Sequence, residues 1–241
     1  MCLLFTGYAN IADFEITVEC EFEFPGFNFS VQNDKRSDID IVVSMDDVFE
    51  YRKLIQSNTS KFSCAYQIAL EKISRKLPRY NAFLLHSATF EANGQGIAFS
   101  AKSGTGKTTH MLNWFRYLGD KLAIVNGDKP IIRFFEDELE TPYAYDTPWN
   151  GKERLGNGSR TPLRHICFIE RSETNFVTTL SKQDAVTRIM KQVYIPKDPI
   201  ALAQTLSLVD KLLSVCNLWV IHCNMDIESA EVAYKAIFND K

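Results

Sequence analysis

The sequence contains no apolar run of about 18 residues, the length that a membrane-spanning helix requires. Its first five residues lack the basic start and the apolar length of a secretory signal peptide. It also has no excess of basic residues: the formal net charge is −3, so no positive field attracts nucleic acid. These absences predict a cytoplasmic protein whose partners include neither nucleic acid nor membrane.

The sequence has no C-x-x-C pair. Its six cysteines are scattered, and several lie in apolar runs: Cys2, Cys20, Cys64, Cys167, Cys216 and Cys223. This distribution favours buried, reduced thiols over disulfides or zinc ligands. His165 and His222 have no acidic, cysteine or histidine neighbour at metal-ligand spacing, so we expect both to be structural.

The 241 residues, 45% of them apolar and 24% charged, allow one large α/β domain or two smaller ones. Over 11–24, apolar and charged residues alternate, which predicts a strand in an antiparallel sheet with one solvated face. A second strand is predicted over 39–44. We therefore expect a β-rich N-terminal segment, 1–60, that forms a separate lobe or an extra layer on a nucleotide-binding domain, 61–241.

The strongest signal in the sequence is a phosphate-binding loop. An apolar strand, 97–99, precedes it and an amphipathic helix, 111–118, follows it, which is the context that such a loop requires. Gly104 and Gly106 permit the tight curl that turns several amides toward one anion. The predicted nucleotide-binding residues are Ala101, Lys102, Ser103, Gly104, Thr105, Gly106, Lys107, Thr108 and Thr109.

Two residues at the end of this loop have predicted roles toward ATP and Mg²⁺. Lys107 would reach the β- and γ-phosphates, and the Thr108 hydroxyl would bind Mg²⁺. The alternative is a flexible turn that is followed by a solvated lysine. The strand before and the helix after the loop favour nucleotide binding.

A carboxylate follows the next predicted strand, 122–125. Asp128 lies in the run Asn126-Gly127-Asp128-Lys129-Pro130, where it would bind the water shell of the metal or accept a proton from an acceptor hydroxyl. The alternative is a plain Asn-Gly hairpin turn between Ile124 and Ile131, with Asp128 in solvent.

His86 and Lys152 are further candidates. His86 lies in an apolar strand predicted over 83–90, and Asn93-Gly94 predicts a tight turn into the strand of the phosphate loop. Pairing across that turn would bring His86 near the loop, although a histidine in an apolar strand is also compatible with the core. Lys152 would hold a phosphate or an anionic acceptor, or lie in solvent. The Gly- and Asn-rich segment 155–159 is predicted to be a mobile lid.

Five runs of residues, taken in order, resemble the HPr kinase-related proteins. They are His86-Ser87-Ala88, the loop from Ser103 to His110, Asn126 to Pro130, Thr147-Pro148-Trp149 with Gly151-Lys152, and Ile166 to Arg171. The resemblance extends from about residue 83 to the C-terminus. It implies an α/β fold, a P-loop core like that of phosphoenolpyruvate carboxykinase and HPr kinase with a mixed sheet, to which the N-terminal β-rich layer is added.

The resemblance also implies functional roles. His86, Lys107 and Asp128 match the catalytic histidine, the loop lysine and the catalytic carboxylate of HPr kinase. Asp128 would take the proton from a serine hydroxyl during transfer of the γ-phosphate. The sequence has Thr109 and Gly127 where HPr kinase has acidic residues, so the resemblance does not indicate HPr as the substrate.

The sequence thus predicts an ATP- and Mg²⁺-dependent phosphotransferase that acts on a serine-type hydroxyl of a peptide, a protein or a small molecule. Asp128, His86, Lys107 and Lys152 are the predicted catalytic residues, and Thr108 and Asp128 are the predicted metal ligands. Two alternatives are an ATP-binding sensor without catalysis and an enzyme that acts on a small acid in the manner of phosphoenolpyruvate carboxykinase. A homo-oligomer is compatible with this prediction.

Overall fold

The computed structural model describes residues 5–22, 36–102, 104–136 and 140–239. The chain divides into two compact units between Leu77 and Pro78. This boundary lies later than the predicted one, after residue 60. The reason is that the helix Lys61–Lys76 belongs to the first unit, where its Lys72 side chain donates to the Val42 carbonyl at 2.7 Å.

The first unit contains a three-stranded sheet and two helices. Its elements are β1 (Phe5–Ile11), β2 (Phe14–Cys20), β3 (Ile39–Val43), α1 (Met45–Ile55) and α2 (Lys61–Lys76). Strands β1 and β2 are antiparallel, whereas β3 pairs with β2 in parallel. The alternating burial of β2 agrees with the predicted half-buried strand.

Two strand predictions for this unit need correction. The strand predicted from residue 11 begins three residues later, because Ala12 and Asp13 turn the chain with φ of 55° and 60°. Its predicted end, 23–24, lies outside the described residues. The strand predicted over 39–44 stops at Val43, because Ser44 accepts the Asp47 N–H and caps α1, a helix that the sequence reading missed.

The second unit is built on a mixed sheet, as predicted. Its elements are β4 (Ala82–Leu84), β5 (Ala88–Ala92), β6 (Gln95–Ser100), α3 (Lys107–Leu118), β7 (Leu122–Asn126), β8 (Ile131–Arg133), β9 (Tyr143–Tyr145), β10 (Arg160–Arg171), β11 (Phe176–Thr179), α4 (Lys182–Ile189), α5 (Pro199–Val215), β12 (Asn217–Cys223) and α6 (Glu228–Asn239). Among the described residues the sheet has nine strands. Seven of them follow the order β4-β8-β9-β10-β6-β5-β7, and the other two are β12, which pairs with β10, and β11, which pairs with β12. Strands β6, β10 and β12 are parallel to one another.

Helices cover both faces of this sheet. Helices α3 and α6 pack on one face around the buried Phe90, Phe99 and Trp114. Helices α4 and α5 pack on the other face, where Phe168 and Leu212 are buried. Burying each of these large side chains stabilises the fold by about 1.5–3 kcal/mol. Within the described residues, each helix is too short or too polar to cross a membrane.

The strand order brings three connecting segments to one edge of the sheet. Strands β6 and β7 both pair antiparallel with β5, so β6 and β7 end at the edge where β5 begins. The loop after β6, the segment before β5 and the segment after β7 therefore meet there. His86 lies before β5, Asp128 lies after β7, and Lys107 is the first residue of α3, directly after the loop.

The connections around this edge differ in part from the prediction. The strand predicted over 83–90 is divided, because β4 pairs with β8 whereas β5 pairs with β6 and β7. The tight turn into β6 is confirmed, with φ of 52° at Asn93 and 70° at Gly94. The alternative prediction of a plain hairpin turn after residue 126 is wrong, because β7 pairs with β5 whereas β8 pairs with β9.

Candidate functional site

The segment between β6 and α3 turns tightly and leaves the start of α3 open. Gly104 and Gly106 have φ of 78° and 118°, a region that side chains with a Cβ disfavour. Gly106 occupies the cap position of α3, so no side chain caps this helix. In contrast, α1, α2, α4 and α5 are capped by the side chains of Ser44, Ser60, Ser181 and Asp198. The first N–H groups of α3 therefore receive no capping by a side chain of the cap residue, so they can donate to an anion instead.

Lys107, the first residue of α3, lies folded back along its own loop. Its side chain is buried, and Nζ donates to the Ala101 carbonyl at 2.9 Å. Burial lowers the pKa of this ammonium, and the nearby Asp128 carboxylate opposes the shift. The predicted lysine and the predicted carboxylate are therefore close enough to interact electrostatically. Ser103 lies outside the described residues.

Arg171, at the end of β10, contacts the loop from the other side. Its Nη2 donates to the Gly104 carbonyl at 2.8 Å. Sequence reasoning placed Arg171 in one of the runs that resemble a known family but assigned it no role. Its contact with the loop depends on the parallel pairing of β10 with β6, which no local pattern reveals.

Asp128 pairs with His86 and with its neighbour Lys129. The His86 Nε2 lies 3.1 Å from Asp128 Oδ1, and the Lys129 Nζ lies 2.7 Å from Oδ2. The Ser87 N–H donates to the Asp128 carbonyl at 3.0 Å, so the backbones on the two sides are also joined. His86 is partly exposed at the sheet edge and does not lie in the core.

The pKa of Asp128 is unusually low. Burial alone would raise this pKa, but hydrogen bonds from His86 and Lys129 outweigh burial and lower it to about 2. Asp128 is therefore a carboxylate throughout the neutral range. As a carboxylate it can accept a hydrogen bond from a hydroxyl or bind a cation.

A polar cluster that sequence reasoning missed holds Asp128 in place. Asn126 is fully buried, and its Oδ1 accepts the N–H groups of Asp128 and Lys129 at 2.9 and 2.7 Å. Its Nδ2 donates to Asp146 Oδ1 at 2.8 Å, and Asp146 Oδ2 accepts the Gly158 N–H at 2.8 Å. The sequence contained a local sign of this contact, because Asn126 stands two residues before Asp128 and asparagine often bonds the backbone two residues further along the chain. The partner Asp146 is supplied by the tertiary fold.

Replacing Asp146 with alanine should destabilise the protein by about 2 kcal/mol, because the buried Asn126 amide would lose an acceptor and the Gly158 amide would lose another. Urea unfolding measures this change. Asp120→Ala is the matched control, since Asp120 is an exposed acidic residue of the same unit. Equal unfolding midpoints for the two variants would show that the cluster does not stabilise the fold.

Lys152, Thr108 and the segment 155–159 lie around the same edge. The Lys152 side chain is exposed. The backbone just before it passes close to Asp128, since a Cβ added to Gly151 would lie 3.5 Å from the Asp128 Cβ. Thr108 is partly buried in the first turn of α3. The segment predicted as a mobile lid is tied down, because Gly156 bridges to Asn126 and the Asp146 N–H donates to the Ser159 carbonyl.

Comparisons with known proteins identify no family. No protein-family model matches the chain, and no curated protein matches it. Among solved structures, the chain is similar to the HPr(Ser) kinase/phosphatase from Coxiella burnetii. The two are 8% identical with a TM-score of 0.35, over 65% of this chain and 97% of that chain.

The described residues contain no group of three His, Cys, Asp or Glu side chains that could hold a metal ion. Mg²⁺ commonly uses one or two protein oxygens together with substrate phosphates, so Thr108 and Asp128 stay predicted ligands.

Five cysteines are free and buried, as expected, and Cys2 lies outside the described residues. His165 bonds Trp219 and Gln95, which agrees with the structural role expected for it. His222 has an acidic neighbour, Glu170, at 3.6 Å.

The low pKa of Asp128 makes the stability of the protein depend on pH. Asp128 stabilises the fold above its ordinary pKa of 3.8, and this contribution is lost as the pH falls toward the folded pKa of about 2. The full contribution is about 2 kcal/mol. Wild type should therefore be more stable than Asp128→Asn at pH 6, and the difference in unfolding free energy should fall by more than half at about pH 2.5. A difference that is independent of pH would show that the pKa of Asp128 is not lowered by folding.

Proposed function

We propose that this chain is an ATP-dependent kinase that transfers the γ-phosphate to a serine-type hydroxyl of a peptide, a protein or a small molecule. One observation carries this proposal. A single sheet edge brings together a glycine-containing loop at an uncapped helix start, the buried Lys107, and the ionised Asp128 that is paired with His86. Phosphoryl transfer needs a site that binds the phosphates, a cation that offsets their charge and a base that accepts the hydroxyl proton, and these groups must lie close together.

The loop supplies the polyphosphate site. The left-handed conformations of Gly104 and Gly106 turn the loop toward the start of α3, whose amides would bind phosphate oxygens. Lys107 would exchange its bond with the Ala101 carbonyl for a phosphate oxygen. Thr108 and Asp128 would hold Mg²⁺, which neutralises charge on the phosphate oxygens when bound.

Asp128 would orient and deprotonate the acceptor. The hydroxyl oxygen bonds to the γ-phosphorus while the bond from this phosphorus to the bridging oxygen breaks, ADP leaves, and the hydroxyl proton passes to the Asp128 carboxylate. With a pKa of about 2, Asp128 is a carboxylate at neutral pH, so it can orient the hydroxyl and accept its proton as the bond to phosphorus forms. His86 holds Oδ1 in position, and Lys152 would contact the phosphate or an anionic acceptor.

A nucleotide-binding protein without transfer is the second candidate. One observation favours it: both carboxylate oxygens of Asp128 already have a partner, His86 or Lys129. A carboxylate has about four lone-pair positions, so these contacts leave room for a hydroxyl. The two candidates differ in whether γ-phosphate is lost.

The deciding experiment incubates the protein with γ-labelled ATP and cell extract, and then separates labelled peptides, proteins and metabolites. The kinase predicts one labelled class with wild type and none with Lys107→Ala. ATP binding by wild type without a labelled product in any class would favour the binding protein instead.

A further inference from the structure

The guanidinium group of Arg171 lies against the phosphate loop and contacts two successive carbonyls. Its Nη2 donates to the Gly104 carbonyl at 2.8 Å, and its Nε lies 3.5 Å from the Thr105 carbonyl oxygen. The first contact is a charge-assisted hydrogen bond, and the second is a long, weak one. One cation therefore faces two consecutive peptide groups of the loop.

The backbone that carries Arg171 is fixed by the sheet. Arg171 is in register with Cys223 of β12, and the next residue, Ser172, donates its N–H to the Cys223 carbonyl at 3.0 Å. Two residues earlier, Ile169 is buried in the core under α3. Side chains two residues apart on a strand share a face, so Arg171 extends from a rigid strand on the face that α3 covers.

The contact with Gly104 bears on the turn at the start of the loop. The Gly104 carbonyl and the Thr105 N–H belong to one planar trans peptide group, so they point in opposite directions. The carbonyl bonds Arg171, and the N–H donates to the Lys102 carbonyl at 3.2 Å, which closes a tight turn. Gly104 has no Cβ that would hinder rotation of this peptide group. The bond from Arg171 therefore stabilises the turn.

The contact with Thr105 bears on the next amide of the loop. The Thr105 carbonyl and the Gly106 N–H form one peptide group, so this N–H points away from Arg171. Arg171 belongs to β10, whereas Asp128 follows β7, on the other side of β6. The Gly106 N–H therefore points away from the β10 side of the loop, which is the side opposite to Asp128. The guanidinium charge also polarises this peptide group, which strengthens a bond from its N–H to an anion.

We propose that Arg171 is a positioning residue that holds the phosphate loop in its anion-binding conformation before the nucleotide arrives. The proposal rests on the proposed function, because it takes the loop to be the polyphosphate site. Arg171 acts through the two carbonyls, while the loop amides, the start of α3 and Lys107 bind the phosphates. A loop that is already held in its binding conformation loses less conformational entropy when the phosphates bind, so the affinity is higher.

A direct bond from Arg171 to a phosphate is the competing role. A guanidinium group carries five N–H donors, and the contacts with the loop use two of them. If Arg171 only bonded the phosphate, its removal would weaken binding and leave the nucleotide-free loop unchanged. Positioning instead predicts a change in the loop before any ligand is added.

The test measures affinity and loop stability in the same variants. Calorimetric titrations with Mg-ATP and with tripolyphosphate use wild type, Arg171→Ala and Arg79→Ala. Arg171→Ala should weaken binding of both compounds by a similar factor of about ten, because the loop contacts phosphates that both compounds contain. In the nucleotide-free variant, hydrogen exchange of the Thr105 amide, followed by NMR, should be about tenfold faster than in wild type.

Arg79→Ala is the matched control. Arg79 is exposed and precedes β4, whereas His86 follows that strand, so the two lie at opposite ends of it. This variant should change neither the affinities nor the exchange of the Thr105 amide. Arg171 is also exposed, so unfolding curves that match wild type would verify that both variants are folded.

Equal affinities of wild type and Arg171→Ala would overturn the proposal and leave the proposed function standing. Weaker binding with unchanged exchange of the Thr105 amide would also overturn it and assign Arg171 to the phosphate itself. Failure of wild type to bind either compound is a separate result, which would remove the proposed function and this role of Arg171 with it.

Discussion

Lys107→Ala is expected to weaken Mg-ATP binding about 10- to 100-fold, because a charge-assisted hydrogen bond to phosphate contributes about 1.5–3 kcal/mol. Transfer should fall further, by at least about 100-fold, since the ammonium also stabilises charge that develops as the phosphoryl group moves. The side chain is buried and bonds the Ala101 carbonyl, so the loop itself loses one hydrogen bond. Titration calorimetry and a γ-labelled ATP assay measure the two effects.

Lys121→Ala is the matched control for this variant. Lys121 is exposed and lies beyond the end of α3, in the same unit. It should leave both ATP binding and transfer unchanged. If Lys107→Ala bound ATP as tightly as wild type, the loop would not be the polyphosphate site.

Asp128→Asn is expected to reduce transfer about 10²- to 10⁴-fold, the usual contribution of a general base. Asparagine keeps the shape of the side chain, but it cannot take the hydroxyl proton. ATP affinity should change only a few-fold, because the loop and Lys107 supply most of the proposed phosphate contacts. The assay measures single-turnover transfer to the acceptor found with labelled ATP, and calorimetry measures binding.

Asp120→Asn serves as the control, since this exposed carboxylate lies before the start of β7, whereas Asp128 follows the end of that strand. Undiminished transfer in Asp128→Asn would exclude Asp128 as the base. Loss of ATP binding together with transfer would instead show that Asp128 acts chiefly by holding Mg²⁺ and the phosphates.

Local sequence patterns were sufficient for the elements whose shape depends on near neighbours. Asn93-Gly94 predicted a tight turn because both residues tolerate positive φ, and the structure has φ of 52° and 70° there. The segment 97–118 was predicted as strand, loop and helix, and β6 and α3 occupy it. The roles of its residues toward ATP and Mg²⁺ stay predictions.

Sequence patterns failed where distant segments decide the structure. The apolar run over 83–90 has the composition of one strand, yet its halves pair with different strands. The segment 61–76 was placed in the nucleotide-binding domain, yet it forms α2 of the first unit, because its apolar residues do not show which partner they pack against. Arg171 and Asp146 had no predicted role for the same reason.

The amino-acid sequence by itself determined the order of strand, loop and helix around Lys107, because backbone conformation there depends on glycine, apolar periodicity and helix ends within a few residues. Only the tertiary structure decided that His86 pairs with Asp128 at 3.1 Å and that Asn126 and Asp146 hold the turn. Those contacts join residues that lie 20 or more positions apart. Their formation depends on strand order and register, which are set by burial of the whole sheet between two helical layers.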